Sequence, residues 1–214
     1  MTKPFTLDDL SKQINDDRTW RIREISDLSD AVQRADKVSQ RVLLRALVTI
    51  CYAHWEGYVR FAAQKYIDHV ALKKLSFSSL SMQFTRNHFL PRLGALSSSK
   101  SSLRGRCELV DEILEISAKR FSRINPDLIN TRSNLSFEVF SDICLICDLP
   151  YGSLSDRQTF IDVILLKRRN AIAHGEDAFI EAEDREDIAN GTIEIMRRFG
   201  DTIENNVYSN AFRR

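Results

Sequence analysis

Apolar residues recur at helical spacing along most of this chain. From Leu28 they fall at Leu28, Val32, Ala35, Val38 and Val42, then at Leu43, Leu44, Leu47, Ile50 and Cys51. This three-and-four spacing marks one buried face of a helix. The pattern continues through Trp55, Tyr58, Val59, Ala62, Ala63, Tyr66 and Val70, and it stops at the serine-rich Leu75-Ser76-Phe77-Ser78-Ser79. It predicts one very long helix or two in series. A shorter helix is expected from Leu80 to Phe89, ended by Pro91, whose ring and missing N–H interrupt the hydrogen-bond ladder. Ser97 to Ser102 reads as a flexible loop. Leu103 to Phe121 is helical again, and Arg123 to Asn134, which contains Asn125-Pro126-Asp127, is irregular or briefly extended.

Ser133 or Asn134 is placed to cap an apolar helix carrying Phe137, Val139, Phe140, Ile143, Cys144, Ile146 and Cys147. Leu149-Pro150-Tyr151-Gly152 breaks that helix, and Ser155 or Asp156 caps the next. Its inward stripe is expected to be Phe160, Val163, Ile164 and Leu166, with the stem of Lys167. Gly175 suits a helix C-terminus, where φ turns positive. After an acidic linker, a last amphipathic helix is expected from about Glu183 to Val207. The fold class is therefore all-α. No linker divides the chain, so residues 1–214 are expected to form one domain, with 1–25 as an N-terminal extension.

Composition agrees with long helices: there are only seven glycines and four prolines in 214 residues. The most apolar stretch, Val42 to Ala63, is interrupted by Arg45, His54, Glu56 and Arg60, which makes it a core helix and not a membrane span. The N-terminal residues form no signal or transit pattern, and a cytoplasmic location is expected. All four cysteines (Cys51, Cys107, Cys144 and Cys147) lie in apolar helical patterns, where a thiol acts as a small hydrophobe. Cys144-Leu-Ile-Cys147 is a single C-x-x-C without a second pair, half of a zinc site at most, and reads as two core positions. No cofactor or metal is implied.

The formal net charge of +1 does not mark the whole surface as a nucleic-acid binder. Local clusters do stand out: Lys119-Arg120 with Arg123, Lys167-Arg168-Arg169, Arg197-Arg198 and Arg213-Arg214. Folding or dimerisation could gather them into a basic zone; taken singly, each is equally a solvated helix face.

The residues with the most chemistry are Arg169-Asn170-Ala171-Ile172-Ala173-His174. Asn170 and His174, four apart, share a helix face, and Arg169 lies about 100° round the axis. A guanidinium, an amide and an imidazole together offer a phosphate clamp, an orienting hydrogen bond and a proton-transfer group. That set suffices for RNA cleavage without a metal. A base removes the ribose 2′-OH proton, the oxygen attacks the adjacent phosphate, and cations stabilise the charge that grows there. By itself an Arg-x4-His pair is common on helices and mostly structural. Glu56, a carboxylate within an apolar helix, needs a cation or His174 as its partner, and it either lines the cleft or closes a structural salt bridge. Trp55 reads as core, and His54, His69 and His88 as surface or satisfied histidines.

The stretch from Lys167 to Glu176 closely resembles the signature of the HEPN superfamily: an arginine, a polar residue that is often Asn, a few more residues and a histidine. Tyr52-Ala53-His54-Trp55-Glu56-Gly57-Tyr58-Val59 is similar to the core helix of one prokaryotic HEPN branch, and Asn134-Leu135, opening a helix after an irregular stretch, is similar as well. Together these segments cover most of the chain from about residue 40 to 200. The resemblance implies an up-and-down helical bundle that dimerises so that two Arg-x4-His motifs face one composite cleft. It makes Arg169 and His174 the catalytic pair, with Asn170 orienting the histidine or the phosphate. Arg168, Lys167 and Glu56 follow as substrate-binding candidates. It implies an endoribonuclease acting on RNA in toxin–antitoxin, stress or phage-defence settings, with an antitoxin or defence protein as a further partner and no membrane. Some HEPN toxins carry a tyrosine two residues past the histidine; here that position is Glu176. The alternatives are a non-catalytic HEPN module that binds RNA, nucleotide or a partner protein, and a structural oligomerisation domain.

Overall fold

The computed structural model describes residues 3–97, 102–123 and 125–214. Most of the serine-rich loop predicted at Ser97–Ser102 lies outside these residues. Helix α1 spans Leu7–Arg34 and opens with a capping box, in which the Thr6 hydroxyl takes the Asp9 N–H while the Asp9 carboxylate takes that of Thr6. Helix α2 follows over Lys37–Leu72. The long apolar run is thus two helices in series. They part at Ala35, whose backbone is extended, and Asp36 caps α2 through the N–H groups of Val38 and Ser39.

The supposed N-terminal extension supplies most of α1. Leu10, Ile14, Ile25 and Val32 are wholly buried, but Arg21 and Ser29 occupy the same stripe, which is why the pattern is faint in sequence. Both polar residues are satisfied: Arg21 by Asp17 at 2.7 Å, and Ser29 by Arg185 at 2.8 Å. Gly57 lets the Arg21 guanidinium lie against α2, since a Cβ there would stand 2.7 Å from Arg21 Nη1.

Beyond α2 come a 3₁₀ turn at Phe77–Ser79, α3 (Met82–Ser97), α4 (Leu103–Glu115) and a 3₁₀ turn at Ile116–Ala118. A further 3₁₀ turn, Pro126–Leu128, precedes α5 (Phe137–Cys147), and another follows at Tyr151–Arg157. A π-helical stretch, Phe160–Lys167, runs straight into α6 (Arg168–Ala173), and α7 covers Asp184–Tyr208. No helix among the described residues is long and apolar enough to cross a membrane. Helices α1, α2 and α7 pack on one another, with α5 and the π-helical stretch against α2. Trp55 of α2 is wholly buried between Phe140 of α5 and Phe199 of α7, at 5.4 and 6.3 Å between ring centres.

Several local expectations are corrected. Helix α3 runs through Pro91, where the chain from Leu90 to Gly94 lies exposed. Helix α4 and its 3₁₀ turn end at Ala118, because the next residues extend and pair with the segment after α2: Phe77 N–H donates to Lys119 O and Phe121 N–H to Leu75 O. The cap of α5 is Ser136, since Asn134 is engaged elsewhere. Neither Ser155 nor Asp156 caps a helix, because the chain winds as 3₁₀ there and Asp156 pairs with Arg198. Cys107 is exposed, whereas Cys51, Cys144 and Cys147 are buried, their thiols pushed up by burial, Cys51 and Cys144 to about 12.

His54 and His69 are buried on α2. Burial holds the His54 pKa below its ordinary value, against the opposing pull of Glu24 2.9 Å away, with Arg21 adding to the depression. Burial does the same to His69, outweighing its 2.8 Å contact with the Pro4 carbonyl. The unfolded chain therefore binds more protons, so this stability is fully present above pH ~6.5 and is lost as pH falls below it. The urea midpoint should drop between about pH 7.5 and about pH 5.5, and His69→Gln should flatten the drop. Equal midpoints in the wild type at the two pH values would contradict this account.

Candidate active site

The segment that delivers the motif is wound differently from its neighbours. From Phe160 to Lys167 the backbone bonds i to i+5, a rare winding that is frequent at functional sites. Ile161 and Leu165 are wholly buried; of the expected stripe Phe160, Ile164 and Leu166 pack partly buried against the core, while Val163 and Lys167 are exposed. Phe160 meets α7 at Gly191, where a Cβ would stand 2.6 Å from the ring tip. Only a glycine admits that approach.

Arg169 opens the last regular turn of this helix and points at α2. Its guanidinium lies over the Tyr52 ring, 4.4 Å from the ring centre. Nη1 donates to Asn170 Oδ1 at 2.7 Å and Nη2 to Ser133 O at 3.3 Å. Glu56 Oε2 stands 4.0 Å from Nη2, and its other oxygen accepts from the Thr131 hydroxyl at 2.6 Å. The arginine side chain keeps 25% of its surface exposed. With five N–H donors and two direct hydrogen bonds, it retains donors for an anion.

The loop before α5 forms the second wall. Arg132 and Ser133 both adopt left-handed backbone, at φ 54° and 56°, and Ser133 thereby presents its carbonyl to Arg169. The next residues close the cage. Asn134 Oδ1 accepts from Asn170 Nδ2 at 3.2 Å, and the buried Leu135 N–H donates to Tyr52 Oη at 2.6 Å. Burial lifts the Tyr52 phenol to about 12.

The helix ends at His174. Gly175, at φ 77°, returns its N–H to Ile172 O, and Glu176 returns its own to Ala171 O, which satisfies the last carbonyls. The imidazole is exposed and takes no side-chain hydrogen bond among the described residues. The structure thus brings Arg169, Asn170 and Glu56 into one cluster and sets His174 at its rim, one helical turn on. Asn170 spends its amide between Arg169 and Asn134, not on His174. Arg168 turns the other way, to Asp184 at 2.9 Å, and Lys167 stands in solvent. His54 is turned toward α1. Tyr52, Thr131 and Ser133 join the site without having been among the residues expected there from the sequence. A signal for the first was present, since Tyr52 and Glu56 are four apart on α2 and so share a face.

Among the described residues no three His, Cys, Asp or Glu side chains converge as a metal site. A family model described as RiboL-PSP-HEPN matches residues 16–205. Neither a curated protein nor a solved structure matches the chain.

Tyr52→Phe keeps the ring beneath Arg169 but strands the buried Leu135 N–H. The expected loss is about 1–3 kcal/mol of unfolding free energy, measured by urea denaturation. A loss below about 0.5 kcal/mol would show that this bond does not hold the loop to α2.

Proposed function

The chain belongs to the RiboL-PSP-HEPN family, and from that premise we propose that it is a metal-independent endoribonuclease in which Arg169 and His174 are the catalytic pair. The observation that carries the proposal is the contrast between the two side chains. Arg169 is fixed by a ring, an amide, a carbonyl and a carboxylate, whereas His174 stands exposed at the end of the same helix. A clamp has to be rigid, and a proton-transfer group has to reach the substrate.

In the proposed reaction a scissile phosphate sits on the free face of the Arg169 guanidinium. His174 removes the 2′-OH proton, and the 2′-oxygen attacks phosphorus. The P–O5′ bond breaks, leaving a 2′,3′-cyclic phosphate and a 5′-oxygen that must be protonated as it leaves. One imidazole cannot give and take a proton at the same instant. Two copies facing one cleft would supply a second histidine for the leaving oxygen. A surface fit for such pairing lies nearby: Val38 and Val42, 82% and 66% exposed, flank Arg41, which reaches Asp177 just beyond the motif. Asn170 and Glu56 act here as positioning residues through Arg169. Toxin–antitoxin or phage defence is the setting proposed for this activity, with a neutralising or activating protein as partner and the cytoplasm as its place.

One observation favours the alternative of a module that binds RNA or nucleotide without cutting it: Arg169 already faces a carboxylate, Glu56. The two readings separate in one assay. Purified protein in EDTA is incubated with end-labelled RNA, and the products are tested for a cyclic phosphate. Cleavage is expected to fall at least about 100-fold in both His174→Ala and Arg169→Ala and to stop where the 2′-OH is replaced by hydrogen. RNA left intact by the wild type, yet bound through Arg169, would establish the binding module in place of the enzyme.

A further inference from the structure

A second concavity gathers positive charge at the far end of α2. Lys119, Arg120 and Arg123 line a cavity of about 470 Å³ with His88, Phe77 and Asn125, and no acidic residue among the described residues lines it. The three cations follow the 3₁₀ turn at Ile116–Ala118, on backbone pinned to the end of α2. There Phe121 N–H donates to Leu75 O at 2.8 Å and Arg120 Nη1 to Lys74 O at 2.9 Å. Phe77 is the buried floor, its ring 5.2 Å from that of His88.

Charge at this cavity is not balanced. Glu112 of α4 binds three neighbours at once: Arg92, His88 at 3.2 Å and Lys119 at 3.3 Å. Together they hold its carboxyl down at about 2. Arg120 and Arg123 have no acidic partner among the described residues. Lys119, Arg120 and Arg123 therefore place three permanent positive charges on the lining, and of these Glu112 pairs with Lys119 alone.

We propose that this cavity is a phosphate site, which takes either a phosphodiester of an RNA strand or the phosphate of a free nucleotide, with Arg120 and Arg123 as its donors. Two guanidinium forks and an ammonium match the oxygens of a phosphate, whose several acceptors they can share. The volume exceeds what a bare ion needs and suits a nucleotide. Lys74 follows Glu56 by eighteen residues on and just past α2, about 27 Å at 1.5 Å per residue, so the cavity is separate from the Arg169 cage. The RNA arm of the proposal rests on the reading of the chain as an RNA-acting protein. The nucleotide arm does not.

The test uses the full chain carrying His174→Ala, so that binding is read without any cleavage. The affinity of a fluorescein-labelled RNA oligonucleotide is followed against salt, and adenosine monophosphate and inorganic phosphate are titrated separately. Arg120→Ala with Arg123→Ala is expected to weaken RNA binding at least about tenfold and to lower the salt slope by about 1.4, or two contacts at about 0.7 each. Loss of adenosine monophosphate binding with RNA unchanged would support the cavity and assign it to free nucleotide. Equal binding of all three probes by the double variant and its parent would overturn the proposal. Because Arg120 also holds the Lys74 carbonyl, Arg123→Ala alone serves as a second variant. Its side chain has no hydrogen-bond or ion-pair partner among the described residues, and it should give about half the change in slope.

Discussion

A guanidinium cannot be drawn into a helical bundle unless its charge and its N–H groups are met, and Arg169 is drawn in until a quarter of its side chain remains exposed. Much of the local architecture answers that constraint. The middle of α2 supplies an aromatic face from Tyr52 and a carboxylate from Glu56. The loop before α5 supplies a carbonyl, and the strain of two consecutive left-handed residues is accepted to aim it. The loop is fixed in turn by α2, through Tyr52 on the Leu135 N–H and Glu56 on Thr131. Two residues of one helix face thus hold both the arginine and the wall opposite it.

The winding of the motif helix belongs to the same problem. An α-helical Phe160–Lys167 would present the stripe that periodicity predicts, with Val163 inward. With the π winding Ile161 and Leu165 are the wholly buried positions and Val163 is exposed, and Arg168 and Arg169 follow at once in α6, about 100° apart round its axis. The two arginines then go to opposite partners, Asp184 on α7 and the cage on α2. Gly191 allows this packing by letting Phe160 come closer to α7 than a side chain there would permit. The motif is therefore placed by helix packing several residues away, as well as by its own contacts.

What sequence patterning could and could not show follows from these details. The long helices, the buried Trp55 and the glycine that ends the motif helix were all legible, because burial repeats with the helix period and a positive φ favours glycine. Helix α1 was harder to see, since Arg21 and Ser29 interrupt its stripe and are satisfied only by groups that folding brings near. The cap at Ser136 depends on which neighbours compete for Asn134. Glu56 could be singled out as a carboxylate that needed a cation, but its partner could not be chosen from over a dozen arginines. Tyr52 was marked only by its place four residues from Glu56 on one face of α2, and nothing in the sequence separates Thr131 or Ser133 from other loop hydroxyl residues.

Arginines make the same point in a form that bears on function. The chain is nearly neutral, and several of its arginines end in close carboxylate contacts that leave little capacity for a ligand, as with Arg198 on Asp156 and Glu194 or Arg168 on Asp184. Arg169 differs from its sequence neighbour because its carboxylate stands off at 4.0 Å, too far for a hydrogen bond, while Oε1 of the same group is given to Thr131. The negative charge is close enough to lower the cost of burying the guanidinium and too distant to occupy its donors. An arriving phosphate would therefore have no hydrogen bond to Glu56 to break, and it would meet donors already oriented by Asn170 and the Tyr52 ring. Such an arrangement favours anions that place oxygens on the open face of the guanidinium, and it does so without the side-chain ordering that a free surface arginine must undergo on binding.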